Sequence, residues 1–280
     1  GGLGASRQLF RLAPHRLKKA IMKLALFQID AFTNSVFSGN PAAVCPLDAW
    51  LPDAQMQRIA AENNLSETAF FVPVGDEFEL RWFTPTCEVD LCGHATLASA
   101  YLLLNRLTPE RSSISFGTRS GRLTVARDGD RLAMNFPAKP AVETEPDAGL
   151  VAAVGGQPEK VLAADNFLLV YASAAEVGGL QPHMTELATF GPRGAIVTAP
   201  GEDCDFVSRY FAPSYGIPED PVTGSTHCTL VPYWAARLGK TDLHARQISG
   251  RGGELFCRDE GDRVRIAGYA VLYLEGTITV

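Results

Sequence analysis

The chain has 280 residues, 46% of them hydrophobic and 20% charged, with a net charge of −6. This is ordinary globular usage for one large domain or two of average size, and it excludes a disordered chain. Five basic residues and no acid fall in the first 22 positions, so the remaining 258 residues carry −11. An acidic body of that kind excludes a nucleic-acid partner, because neutralising phosphates needs a basic face. No apolar run reaches the eighteen or so residues of a membrane span.

Residues 1–21 are Gly-rich, then Arg-rich, and end just before Met22 and the first strand-like run. They read as a tag or non-native extension and stand outside the fold. Short runs rich in Val, Leu, Phe and Tyr, bounded by Gly, Pro, Asp or Asn, then predict strands. In the first half these are 24–29, 42–45, 68–74, 78–83, 121–126 and 132–136. A helix is expected over 52–62, from Met56, Ile59 and Ala60 at helical spacing and Asn63-Asn64 at its end. Asp128-Gly129-Asp130 reads as a hairpin turn. A weaker helix is expected over 148–154, followed by strands at 167–171, 195–198, 206–211, 254–257, 264–266 and 271–279.

Two further helices, 94–106 and 225–237, hold no charged residue before their final Arg, His aside. A helix that is apolar nearly all round is buried on every side. Each is entered by a glycine, Gly93 or Gly224. Each also follows the same lead-in, Arg81-Trp82-Phe83-Thr84-Pro85 in one half and Arg209-Tyr210-Phe211-Ala212-Pro213 in the other. One motif used twice predicts an α/β (α+β) fold of two pseudo-repeated domains. Each is a curved, barrel-like, mainly antiparallel sheet around one buried central helix. The expected division is 22–128 for the first domain, with strand 270–280 returning to it, and 129–269 for the second. The two helix starts then face one cleft, where their N–H groups and positive dipole ends suit a small carboxylic acid.

Six cysteines are scattered without a C-x-x-C pair, which favours reduced, buried thiols in a cytoplasmic protein. No metal-ligand spacing and no phosphate-binding glycine loop is present, so neither metal nor organic cofactor is expected. Read alone, Glu67 is a turn carboxylate, Asp220 a turn cap before Pro221, and His94 a structural histidine.

The strings FQIDAFT, FSGNPAAVC, NLSETAFF, RWFTPTCEVDLCGHATLA and EDPVTGSTHCTL set these residues in another light. In order and spacing, residues 22–280 resemble the phenazine-biosynthesis (PhzF-like) family, whose fold is that of diaminopimelate epimerase. The resemblance implies a cofactor-independent isomerase acting on a small carboxylic acid, such as a dihydro-hydroxyanthranilate or an amino acid, and a homodimer. It implies Glu67 as the acid–base residue, with His94, Asp220 and Ser225 as its partners. Gly93 with Ala95, and Gly224 with Thr226, would cradle the substrate. Two rival readings remain. An epimerase of the same fold would need a thiol at each helix entrance, and Cys92 stands at the first but Thr223 at the second. A non-catalytic carboxylate-binding protein is the other.

Overall fold

The structure, a computed structural model, describes residues 22–280; the expectation for residues 1–21 lies outside the described residues. Seventeen strands and six α-helices follow in chain order. The first stretch runs β1 (Lys23–Ala31), β2 (Asn40–Pro46), α1 (Asp53–Asn63), β3 (Glu67–Val74), β4 (Glu77–Phe83) and β5 (Glu88–Val89). Then come α2 (Gly93–Leu102), continued by a wider π turn at Leu103–Leu107, β6 (Ser113–Thr118), β7 (Gly121–Asp128) and β8 (Arg131–Pro137). After these are β9 (Val142–Glu143), α3 (Ala148–Val154), β10 (Lys160–Ala163), β11 (Phe167–Val170), α4 (Ala174–Gly179), α5 (Met184–Leu187), β12 (Ala195–Pro200) and β13 (Phe206–Phe211). The chain closes with α6 (Gly224–Leu238), β14 (Asp242–Gln247), β15 (Gly253–Asp259), β16 (Arg263–Gly268) and β17 (Ala270–Thr279).

Pairing turns this list into two copies of one pattern. The first ladder is β17-β1-β2-β3-β4-β6-β7-β8, with β2–β3 and β4–β6 parallel and every other pair antiparallel. The second is β9-β10-β11-β12-β13-β14-β15-β16, and its parallel pairs, β11–β12 and β13–β14, fall at the same places. Antiparallel pairing of β8 with β16 joins the two ladders. In each copy the second parallel pair is connected by the buried helix, α2 or α6, because parallel strands need a crossover of this length. Strand β8 packs on α2 and pairs with both β7 and β16, so it is the seam between the two copies.

Both central helices are buried as their composition requires. In α2 every residue from His94 to Ala100 is buried, and α6 buries nine of its fifteen, among them Trp234. The hairpin at Asp128 forms with Asp128 opposite Arg131 and Gly129 at φ +61°. Helix α3 occupies the expected 148–154 and is capped by Asp147, whose carboxylate accepts from the Gly149 and Leu150 amides. Two sizeable strands, β6 and β14, are not among those the sequence predicts. Their alternation is masked by polar residues on the outer face: in β14 only Leu243, Ala245 and Gln247 point inward.

One close contact supports the cleft. Phe32, fully buried at φ +62°, lies under the start of α6, and a side chain at Gly224 would meet its ring at 3.6 Å. The same ring is covered by Gly268, where an added Cβ would fall 2.5 Å from Phe32 Cδ1. Gly268→Ala is therefore expected to lower stability by about 1–3 kcal/mol, the usual cost of overpacking. Chemical denaturation checks this, and an unchanged unfolding midpoint would show that the ring has room to move.

Candidate active site

The starts of α2 and α6 meet. A Cβ built on Gly93 would lie 3.8 Å from the Gly224 Cα, so the two helix starts are in van der Waals reach of each other. The residues before the helices, Cys92 and Thr223, are extended, and neither side chain caps the helix behind it. Two helix starts without side-chain caps, each with a positive dipole end, thus face one space. That space is a cavity of about 380 Å³ whose walls include Glu67, Cys92, Gly93, His94, Asp220, Thr223, Gly224 and Ser225.

Each polar residue is delivered by a strand end or a helix start. Helix α1 stops at Asn64, which takes the left-handed conformation at φ 50°, and three residues later Glu67 opens β3. Parallel pairing of Ala42 with Glu67 puts Asn40, the first residue of β2, at the same end of the sheet. His94 is the second residue of α2, and its Nε2 stands 3.2 Å from Glu67 Oε2, without the alignment of a hydrogen bond. The Cys92 sulfur lies 3.4 Å from the other ring nitrogen, Nδ1.

Asp220 approaches from the second ladder and is only 8% exposed. Its Oδ1 accepts from Asn40 Nδ2 at 2.9 Å, and its Oδ2 accepts from the Thr223 hydroxyl. Gln247, the last residue of β14, is fully buried behind it. Gln247 Oε1 accepts from the Thr223 amide at 2.9 Å, while its Nε2 donates to the Asp220 carbonyl at 2.8 Å and to the Thr223 hydroxyl at 3.1 Å.

Electrostatics follow from this burial. Desolvation pushes Asp220 up to about 6, helped by Glu67 and opposed by His94 and by the Thr223 and Asn40 hydrogen bonds. Burial opposes a charge on His94, whereas a charge on the Cys92 sulfur, where it forms, and the Glu67 carboxylate favour it, and the His94 pKa is raised. Burial and the neighbouring Glu67 push the Cys92 thiol up to about 11, so it is a thiol, not a thiolate, at neutral pH.

Of the residues singled out from the sequence, Glu67, His94, Asp220, Ser225, Gly93 and Gly224 converge on the cavity. Ala95 and Thr226 are buried at the base of the two helix starts and are not among the residues lining it. The Thr226 hydroxyl is spent on the Thr223 carbonyl at 2.8 Å. Sequence reasoning missed Asn40 and Gln247. Asn40 sits inside a quoted string and was readable as polar in an apolar run, whereas Gln247 carries no local signal. Glu67, Cys92 and His94 also present donor atoms within 4.8 Å of one another. A metal there would have to strip the proton from a thiol that burial holds at about 11, so this donor set suits hydrogen bonding better than ligation.

Comparison with known proteins agrees with the geometry. Residues 29–276 match the family described as phenazine biosynthesis-like protein (PhzC-PhzF). The chain belongs to this family. An uncharacterized isomerase of Pseudomonas aeruginosa is 53% identical over 258 residues, covering 92% of this chain and 99% of the relative. The human phenazine biosynthesis-like domain-containing protein is 40% identical, covering 92% of this chain and all of the relative. Among solved structures, a PhzF-family protein of Enterococcus faecalis superposes with a TM-score of 0.90 at 42% identity, covering 92% of this chain and 100% of that one. A hydroxyproline epimerase of Agrobacterium vitis, solved with trans-4-hydroxy-L-proline, shares the fold at a TM-score of 0.60 and 12% identity, over 92% of this chain and 93% of that one. The PhzF-like chain thus stands in an isomerase and epimerase-like fold group, and no helix among its described residues is long and apolar enough to cross a membrane.

A two-thiol mechanism is a poor fit to the entrance residues of this family member. Cys92 stands at one helix start, but its counterpart, Thr223, is a hydroxyl already donated to Asp220. Cys92→Ser is expected to keep proton-exchange activity and to cost about 1 kcal/mol, as point changes in packing do. Loss of nearly all exchange in a folded Cys92→Ser protein would restore the thiol mechanism.

Proposed function

We propose that the chain is a cofactor-independent isomerase that moves a proton on a small carboxylic acid, with Glu67 as the acid–base group. The observation that carries this reading is the convergence of Glu67, paired with His94, and Asp220 on one cavity at the junction of two uncapped helix starts. The helix starts supply N–H donors and positive dipole ends for the substrate carboxylate. Glu67 takes a proton from one carbon and returns it at another, so no net proton is gained or lost. His94, at 3.2 Å, faces the Glu67 carboxylate and orients it before the first transfer and after the second. Asp220, an acceptor held by internal donors, orients an amine or hydroxyl of the substrate, and Ser225 stands beside it at the cavity wall. The rate gain comes from orientation and one well-placed proton carrier.

Screening small amino, hydroxy and cyclic carboxylic acids for protein-dependent deuterium uptake from heavy water tests the proposal. Uptake at a carbon position identifies the substrate class. Binding of such acids without any uptake would make the protein a carboxylate-binding protein instead. A cytoplasmic homodimer belongs to the same proposal. Its support is that all six cysteines are free and that Phe37, Tyr273 and Leu274 expose apolar surface around the edge strand β17.

A further inference from the structure

Asn40 is fully buried, yet it reaches both halves of the molecule. Its amide nitrogen lies 2.9 Å from Asp220 Oδ1, 2.9 Å from the Val222 carbonyl and 3.2 Å from His94 Nδ1. An amide has two hydrogens, so not all three contacts are hydrogen bonds. The two shorter ones, to a carboxylate and a carbonyl that only accept, take both hydrogens. His94 Nδ1 is left to the Cys92 sulfur at 3.4 Å. Exchanging the amide nitrogen and oxygen would set an oxygen against two other oxygens, so the orientation of Asn40 is fixed by its surroundings.

From this geometry we propose that Asn40 is a positioning residue for the reaction: it ties the 220–222 turn of the second half to the first half and fixes Asp220 as an acceptor facing the cavity. The proposal rests on the functional reading above. Asp220 Oδ2 is held independently, by the Thr223 hydroxyl. Because Gln247 Nε2 donates to that hydroxyl oxygen, the single hydroxyl hydrogen is directed at Asp220. Among the described residues, Asn40 therefore supplies the only hydrogen bond to the Asp220 carboxylate from the first ladder. Removing it leaves a buried carboxylate short of one charge-assisted hydrogen bond, and such a carboxylate binds its proton more tightly. The other titratable groups around Asp220 are His94, which favours its charged form, Glu67, which opposes it, and the Tyr210 phenol on β13.

The test is Asn40→Leu, which keeps the branched shape and removes the donor, beside Asn40→Ser as a smaller side chain that leaves one. Carboxyl titration is followed by infrared difference spectroscopy without substrate, and the Asp220 band is identified by its loss in Asn40→Leu/Asp220→Asn. We expect the Asp220 titration to move up by about one pH unit in Asn40→Leu. Deuterium uptake should fall about 10- to 100-fold, the worth of one hydrogen bond to a charged group. The loss should lie in kcat more than KM, the acidic limb of the rate profile should rise in step with the infrared titration, and Asn40→Ser should recover part of both. An Asp220 titration unmoved in folded Asn40→Leu would overturn the proposal whatever the rate does. A moved titration with a wild-type pH–rate profile would overturn it as well, by showing that Asp220 is tied but not used. If instead Glu67→Gln keeps full exchange, the functional reading fails, while the substrate-free titration still decides whether Asn40 holds Asp220.

Discussion

Glu67→Gln is expected to lower proton exchange by about 10²–10⁴-fold, the range for a general acid–base group, while ligand affinity stays nearly unchanged. Gln keeps the size of the side chain and can still face His94 Nε2, which stands 3.2 Å from Glu67 Oε2. It cannot carry a proton. The substitution therefore removes a role exercised in the transition state and spares contacts made in the ground state. Calorimetric titration of a competent acid against both proteins, beside the rate of deuterium incorporation, separates the two effects. The fold is not expected to suffer, since Glu67 opens a strand at the cavity wall instead of filling the core. If Glu67→Gln exchanges at the wild-type rate while Asp220→Asn does not, the proton carrier is Asp220.

How this site was legible in the sequence depends on the kind of signal each residue leaves. The two central helices were visible because a run such as HATLASAYLLL has no polar face to show to solvent, and burial on all sides is the only physical outcome. The repeat was visible because Phe83 and Phe211 end equivalent strands, β4 and β13, and Gly93 and Gly224 open equivalent helices. Their meeting followed from the repeat. Glu67, His94 and Asp220 were placed by family resemblance, since each alone reads as an ordinary turn or structural residue. Beyond local reading lay everything set by pairing across the chain. Strand β14 alternates polar residues, Asp242, His244 and Arg246, with Leu243, Ala245 and Gln247, so neither it nor the buried Gln247 at its end declares itself. Asn40 meets Asp220 across 180 positions of sequence, and no local pattern encodes that contact. The place of β8 is equally beyond local reading, since it pairs with β7 across the hairpin and with β16 far along the chain.

Asp220→Asn is expected to make the protein more stable at neutral pH while weakening both binding and turnover. In the folded protein burial raises Asp220 from 3.8 to about 6. Its folded pKa thus lies above its unfolded value. Between about pH 4 and 6 the folded state keeps a proton that the unfolded state has released, and stability falls as pH rises through this window. The stabilising contribution is complete below pH 4 and gone above about 6. Two pH units correspond to about 3 kcal/mol. Asn carries no charge to bury and keeps an oxygen for the Asn40 amide, although its own amide meets the Thr223 hydroxyl oxygen less well. A net gain of about 1–2 kcal/mol at pH 7.5 is expected, shrinking to nothing or reversing at pH 4. Denaturant unfolding of both proteins across pH 4–8 measures the difference directly. Other raised carboxyls, such as Asp30, are present in both proteins and cancel. A stability difference independent of pH would mean that Asp220 does not titrate with a raised pKa. The expected result instead places an ionised, cavity-facing Asp220 among residues kept for function at a cost in stability, and the same carboxylate then sets the acidic limit of activity, which should fall as pH drops through about 6.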